Sequence, residues 1–572
     1  MVLLKFVLLL IPVVLFYLYR RLRWLRFEQY KDFPQLPADL LWGHMKVINE
    51  VRRAPGQHLG QHSDYFMYEM VKRAGHPPIL MLDTRPANYA MCVVTSHAIA
   101  EQMSRPSPAF KYGTLKTPNF ADFIPLIGSK SLLILEGEQW KGLRRKFNPG
   151  FAPTHLMTLL PKILEKTSFF IRRLDKAAQS GDVVHMDNIC VDLTFDIIGS
   201  VVLDVDLNAQ LLGLGAEGAE EDPILKSMRY LLEEYENADP LAELNPIRKL
   251  RQIMRGKRFD AAIKKAIVAK FSELKKHPSY GEKSRSEKGR SVVALALQDQ
   301  DELKPAALQE TADQIKTFMF AGHDTTSTTL QWAFYELSRS PNALAKACNE
   351  LDEVLGPNAD PKVVADTLIA RGEEVLQHLT YLSAIIKETL RLYPPAGSAK
   401  IAPVGSNFHV HDDDGHSWLV DGVVLYNCHF IIGRDPKVYG ADAEYFVPER
   451  WLGDGGDVDT SEKTNIYHEP EKDKSPHRDE RRIPPAAWRP FERGPRSCIG
   501  QELANLETRV ILALTVRRYR FEKVGMGALD LGVDGKPTIN EWGQYNTVDQ
   551  LVNRRQITAK PLDRMQARIH FR

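Results

Sequence analysis

The stretch Phe491–Gly500 constrains this chain more than any other. It reads Phe-Glu-Arg-Gly-Pro-Arg-Ser-Cys-Ile-Gly. Cys498 sits in a turn stiffened by Gly494 and Pro495. An apolar run follows in which Leu503, Leu506, Val510 and Leu514 share one helical face. A cysteine at a helix start meets unpaired backbone N–H groups and the positive end of the helix dipole. Both favour thiolate, the metal-binding form of sulfur. Gly494 and Gly500 let backbone approach a flat ligand closely, and Arg496 offers a planar cationic fork to a carboxylate. The plain alternative for a lone cysteine is a small buried apolar residue.

Three further patterns bear on that choice. Trp140 and Arg144 are four residues apart and share a helix face, within a basic stretch that includes Lys141, Arg145 and Lys146. Pro305 to Ser340 reads as one long helix, opened by Pro305 and stopped by Pro341. Inside it lies Ala321-Gly322-His323-Asp324-Thr325-Thr326. Ala321 and Gly322 are small enough for a ligand to lie against the backbone, and Asp324 with Thr325 forms an acid–alcohol pair suited to moving protons. The competing reading is a threonine-rich helix that hydrogen-bonds back on itself. His323 reads as a packing or solvated residue. Glu388 and Arg391 lie three apart on a helix that Thr380 can cap and that ends before Pro394. Arg450 follows in Pro448-Glu-Arg-Trp451.

Together these patterns resemble the cytochromes P-450. The ligand loop matches Phe-x-x-Gly-x-Arg-x-Cys-x-Gly at Phe491, Gly494, Arg496, Cys498 and Gly500. The other motifs match Trp-x-x-x-Arg, the oxygen-binding groove, Glu-x-x-Arg and Pro-Glu-Arg-Phe, with Trp451 in place of Phe. The resemblance implies a mostly α fold with a small β subdomain and haem b (iron protoporphyrin IX) as cofactor. It implies that Cys498 ligates the iron and that Trp140, Arg144 and Arg496 face the propionates. Ala321 and Gly322 would lie over the haem, with Asp324 and Thr325 delivering protons to bound dioxygen. Glu388, Arg391 and Arg450 would form a structural network that clamps the haem loop. Two positions depart from the pattern: Lys400 stands where an arginine is common, and Gly433 where a histidine is common before Arg-Asp-Pro. Lys400 is retained as a candidate propionate ligand.

The implied reaction puts one atom of O2 into a lipophilic small molecule. Phe110, Tyr112, Phe120 and Phe123 would roof the pocket, with small Ala396, Gly397 and Ser398 beside it. The segment around Tyr545–Gln556 precedes a final strand-like tail, and the resemblance implies an equivalent hairpin tip that reaches the pocket. No flavin or nicotinamide fingerprint is present, so electrons would come from a separate NADPH–cytochrome P-450 reductase docking on the basic stretch. The segment Ile483–Glu522 further resembles fungal members that tailor secondary metabolites. The alternatives are an alkane or fatty-acid hydroxylase, a haem-thiolate isomerase, dehydratase or peroxygenase needing no reductase, and a non-catalytic haem carrier.

The N-terminus bears on location. Val2–Tyr19 is nearly continuous apolar sequence, broken by Lys5 and Pro12 and followed by Arg20, Arg21, Arg23 and Arg26. The run is just long enough to span a bilayer, and the positive-inside rule places the rest of the chain in the cytoplasm. A cleaved signal peptide carries its charge on the other side. The expectation is a single-pass anchor in the endoplasmic reticulum membrane over 1–26, in contact with membrane lipid. A proline hinge would follow over 27–45, then a catalytic domain over 46–572 with a charged insertion at 454–482. Lys275–Arg290 reads as a charged loop. Five scattered cysteines without C-x-x-C spacing exclude a disulfide framework and a zinc site, and a net charge of +2 gives no hint of a nucleic-acid partner.

Overall fold

The computed structural model describes residues 2–58, 60–218, 220–236, 245–276, 289–452, 483–554 and 556–572, with side chains from residue 10 onward. Most of the expected charged loop and all of the 454–482 insertion lie outside the described residues. The helices used below are α1 (Val2–Arg23), α2 (His97–Ser104), α3 (Gly137–Phe147), α4 (Met186–Ile198), α5 (Pro305–Arg339), α6 (Pro341–Leu355), α7 (Thr380–Leu392) and α8 (Gln501–Thr515). The strands are β1 (Ile79–Asp83), β2 (Ala90–Val94), β3 (Leu115–Lys116), β4 (Val184–His185), β5 (Ser398–Ile401), β6 (His409–His411), β7 (Ser417–Leu419), β8 (Val424–Asn427), β9 (Tyr519–Lys523) and β10 (Gln566–Phe571). Helices dominate, as the resemblance implied.

The chain forms two compact units. The first takes residues 1–117, 397–439 and 480–496. Its main sheet runs β1-β2-β8-β5-β3, with β2 and β8 parallel and the other pairs antiparallel. The β1–β2 hairpin turns across Thr84-Arg85-Pro86, between two apolar runs. Ile79, Met81, Cys92, Val94 and Leu425 pack on one face with Ile99 and Met103 of α2. Leu80, Leu82 and Val93 pack on the other with Met67, Met70 and Val71.

The second unit takes 118–396, 440–479 and 497–572 and is mostly helical. Its spine is α5, which begins at Pro305 and ends before Pro341, as the two prolines require. It packs along α4, α7 and α8. Thr380 does not cap α7. The Glu350 carboxylate on α6 takes that place, accepting from the N–H groups of Tyr381 at 2.5 Å and Leu382 at 2.9 Å and from the Thr380 hydroxyl at 3.1 Å. A full charge against the helix dipole outcompetes a neutral hydroxyl.

The apolar N-terminal run does form a helix, α1. Its side chains from Leu10 to Tyr19 are exposed. Among the described residues, however, no helix is long and apolar enough to cross a membrane.

Candidate active site

Cys498 immediately precedes α8. Of the five cysteines, none of which forms a disulfide, it is the one that is exposed. Protein atoms nevertheless crowd the sulfur, and this burial pushes the thiol above its ordinary pKa. The N–H groups of Gly500 and Gln501 and the charge of Arg144 pull it back down. Arg144 Nη1 donates to the Ser497 carbonyl at 2.7 Å, so α3 holds the peptide next to the sulfur. Trp140, one turn earlier, is buried. Leu503, Leu506, Val510 and Leu514 are all buried, as the sequence pattern requires.

The donor set tests what metal this sulfur suits. A bare ion needs about four protein ligands. Among the described residues, the group of His, Cys, Asp or Glu side chains close enough to share an ion is Asp412, Asp414 and His416, which does not include Cys498. A lone sulfur flanked by N–H donors fits an iron that arrives with four equatorial nitrogens of its own. Haem meets that description.

The other half of the expected loop behaves differently. Gly494 has φ +76°, and a Cβ there would sit 2.2 Å from the Ser104 carbonyl oxygen. Glycine is therefore required by protein packing, before any flat ligand is considered. Gly500 is looser: a Cβ would lie an ordinary 3.9 Å from the Cys498 sulfur. Phe491 is half-buried against Trp488 and Arg496 is half-buried. Lys400, on β5, is buried to 1% exposure, and its charge acts on the Glu492 carboxylate.

On α5, Thr311–Met319 and Thr326–Leu337 are buried, but the stretch between them opens. Ala321 is exposed, and Gly322, Asp324 and Thr325 are half-buried. The expected groove residues are thus the accessible ones on an otherwise enclosed helix. Gly322 is small for a local reason, since a Cβ would meet Ile198 of α4 at 2.7 Å. His323 packs as expected, stacked on Phe195 at 4.1 Å with its Nδ1 2.8 Å from the Met319 carbonyl oxygen. Thr325 donates back to the Ala321 carbonyl at 2.8 Å, the bond the competing reading foresaw.

Asp324 has partners that sequence reasoning missed. Lys560 Nζ lies 2.5 Å from its Oδ1, and the Thr558 hydroxyl donates to its Oδ2. Lys560 also lies 3.4 Å from Asp187, which pairs with Arg554 at 3.0 Å. Burial alone would raise the Asp324 pKa; Lys560, His323 and Thr558 reverse this and hold it at about 2. The one signal in the sequence was the need of a buried acid for a cation, and that did not say which cation.

Glu388, Arg391 and Arg450 do converge. Arg391 donates to both Glu388 oxygens, at 2.8 and 2.7 Å, and Arg450 Nε to Oε1 at 2.9 Å. Trp451, the departure from the family's Phe, adds an indole N–H at 2.9 Å. Arg391 also donates to the carbonyls of Ala443 and Tyr445. The described bonds thus fasten the segment 443–451 to α7.

These features are those of a haem protein with a mostly helical fold. The chain belongs to the cytochrome P450 family, whose model matches residues 56–528. It is 33% identical over 456 residues to cytochrome P450 monooxygenase acrF of Aspergillus aculeatus, covering 77% of this chain and 84% of the relative. It is 27% identical over 513 residues to cytochrome P450 monooxygenase polC of Polytolypa hystricis, covering 88% and 84%. The fold is similar to the crystal structure of the cytochrome P450DA heme domain, with TM-score 0.66 and 16% identity over 94% of this chain and 98% of that one. The chain is accordingly a monooxygenase with haem b as cofactor, and the family implies O2 and a redox partner.

Proposed function

We propose that this monooxygenase oxidises a lipophilic substrate of fungal secondary metabolism with O2, either inserting one oxygen atom by hydroxylation or epoxidation or removing two hydrogens by desaturation, with both oxygen atoms then leaving as water. Its electrons come from a separate NADPH–cytochrome P450 reductase. The observation that carries the reading is Cys498: an exposed cysteine just before α8, its sulfur faced by two backbone N–H groups and its neighbouring peptide held by Arg144. The fungal monooxygenases acrF and polC support the metabolic setting. A bifunctional cytochrome P450/NADPH–P450 reductase of Aspergillus oryzae, 33% identical over 223 residues and 37% of this chain, supports the electron source.

Haem, when bound, supplies O2 binding and its reductive cleavage. Cys498 would hold the iron, and the Gly500 and Gln501 N–H groups would stabilise the sulfur's charge. Arg144 and Trp140 would bond the propionates, a role the family pattern also gives to Arg496. Lys400, whose charge acts on the Glu492 carboxylate, is kept as a further candidate for the propionates. Thr325 delivers a proton by swinging its hydroxyl off the Ala321 carbonyl. Asp324, held ionised, acts as a fixed charge that orients Lys560 and Thr558 rather than as a stored proton. The exposed apolar surface of α1 from Leu10 to Tyr19, with the arginines after it, supports attachment to the endoplasmic reticulum membrane.

The test is turnover with the reductase, NADPH and labelled dioxygen on the metabolite that accumulates when the gene is disrupted. One labelled oxygen atom per hydroxylated or epoxidised product, or a new double bond with labelled water, supports the reading. Product formed equally well without reductase contradicts it.

A further inference from the structure

The ligand-loop pattern leaves Glu492 open, yet this residue is bonded to several elements at once. Its backbone sits at φ +57°, a left-handed conformation that non-glycine residues rarely adopt. The turn aims the carboxylate back beneath the loop. Oε1 accepts from the Ser104 hydroxyl at 3.0 Å, the Arg489 guanidinium at 2.5 Å and the Arg493 N–H at 3.2 Å. Oε2 accepts from the Asn427 amide at 3.2 Å and lies 3.6 Å from His429 Nε2. Despite burial, His429, Arg489 and Lys400 hold its pKa well below the usual carboxylate range.

Arg489 is itself fully buried. It also donates to Glu101 at 2.7 Å, to the Ser104 hydroxyl at 2.7 Å and to the Ala100 carbonyl at 3.2 Å. Two elements are thereby pinned to one point. The end of α2 is held through Ser104, and the end of β8 through Asn427. Gly494 presses on the same Ser104 from two residues further along. The loop stem is therefore fixed in register against α2 twice, once by charge and once by contact.

We propose that Glu492 is the positioning residue that sets the path of the loop delivering the sulfur ligand. Charge-assisted bonds of this kind are strong and directional, and a buried cation left without its anion is forced to rearrange. Losing the carboxylate leaves Arg489 drawn to Glu101 alone, unties Ser104 and Asn427 from the loop, and lets the stem shift. The sulfur, six residues on, then meets iron in more than one geometry. This rests on Cys498 being the ligand, so wild type and Cys498→Ser are run beside the variants. A wild type without thiolate ligation would sink that reading and this proposal with it; a wild type with thiolate ligation beside an unchanged Glu492→Gln would sink this proposal alone.

The experiment compares Glu492→Gln, Glu492→Asp and Asn427→Ala as haem-loaded proteins. The readouts are the reduced CO-bound spectrum, the ferric–ferrous potential and haem transfer to a scavenger protein. Glu492→Gln is expected to lose thiolate character in a large share of molecules and to release haem about tenfold faster, the effect of one lost charge-assisted bond. Glu492→Asp should recover part of the spectrum, and Asn427→Ala should shift it in the same direction by less. A wild-type spectrum, potential and release rate in Glu492→Gln overturns the proposal. Should Glu492→Gln fail to fold, a wild-type spectrum in Asn427→Ala overturns it equally.

Discussion

Glu507 carries a pH dependence that can be worked from its surroundings. It lies on α8, is 3% exposed, and among the described residues its Oε1 has no hydrogen-bond partner. Burial alone lifts its pKa from 4.5 to about 8. The folded chain therefore keeps a proton that the unfolded chain releases above pH 4.5. A folded pKa that is raised means stability fully present below the unfolded value and lost as pH rises through the folded one. Each pH unit in that window costs about 1.4 kcal/mol. The loss is about 3 kcal/mol at pH 7 and about 5 kcal/mol above pH 8. Glu507→Gln keeps the shape, is neutral throughout, and removes this term. Urea midpoints of wild type and variant, followed by tryptophan fluorescence from pH 4 to 9, measure it. The two should nearly coincide at pH 4, with the variant pulling ahead as pH rises and the gap levelling above pH 8. A gap that does not change with pH would refute the reasoning, because it would mean the carboxyl finds a cation or water in the fold.

Other outcomes follow from the same structure. Arg450→Met strands the Glu388 charge between fewer donors and should cost about 3–5 kcal/mol in urea unfolding, with haem content falling alongside. Lys560→Met removes the main counter-charge of Asp324. It should destabilise by a similar amount at pH 7, and the loss should shrink toward pH 4 as Asp324 takes up a proton at its now higher pKa. Comparing midpoints at the two pH values checks the sign. Deleting Met1–Arg26 should move protein from membranes to the soluble fraction on centrifugation; unchanged retention would assign attachment to another surface.

What could be read from the sequence was local chemistry. The Cys498 loop, the Trp140–Arg144 spacing and the Glu388–Arg391 pair each fit within a few residues, so their geometry follows from turns and helix pitch. Pro305 and Pro341 bracket α5 because each fixes the backbone where it stands. Partners far along the chain were not legible. Nothing near Asp324 names Lys560 or Thr558, since only tertiary packing brings the tail to α5. The α7 cap was misassigned for the same reason: Glu350 arrives from another helix. Gly322 and Gly494 were read as room for a ligand, and their nearest constraints proved to be Ile198 and the Ser104 carbonyl. Glu492 was passed over because the motif leaves that position open.

The central claim is that the Cys498 sulfur is the axial ligand to iron. The reduced, CO-bound absorption spectrum of Cys498→Ser, recorded beside haem-loaded wild type, tests it most directly. Sulfur ligation predicts the red-shifted thiolate band in wild type and its complete loss in the variant. A thiolate band that survives in Cys498→Ser, or that is missing from haem-replete wild type, would contradict it.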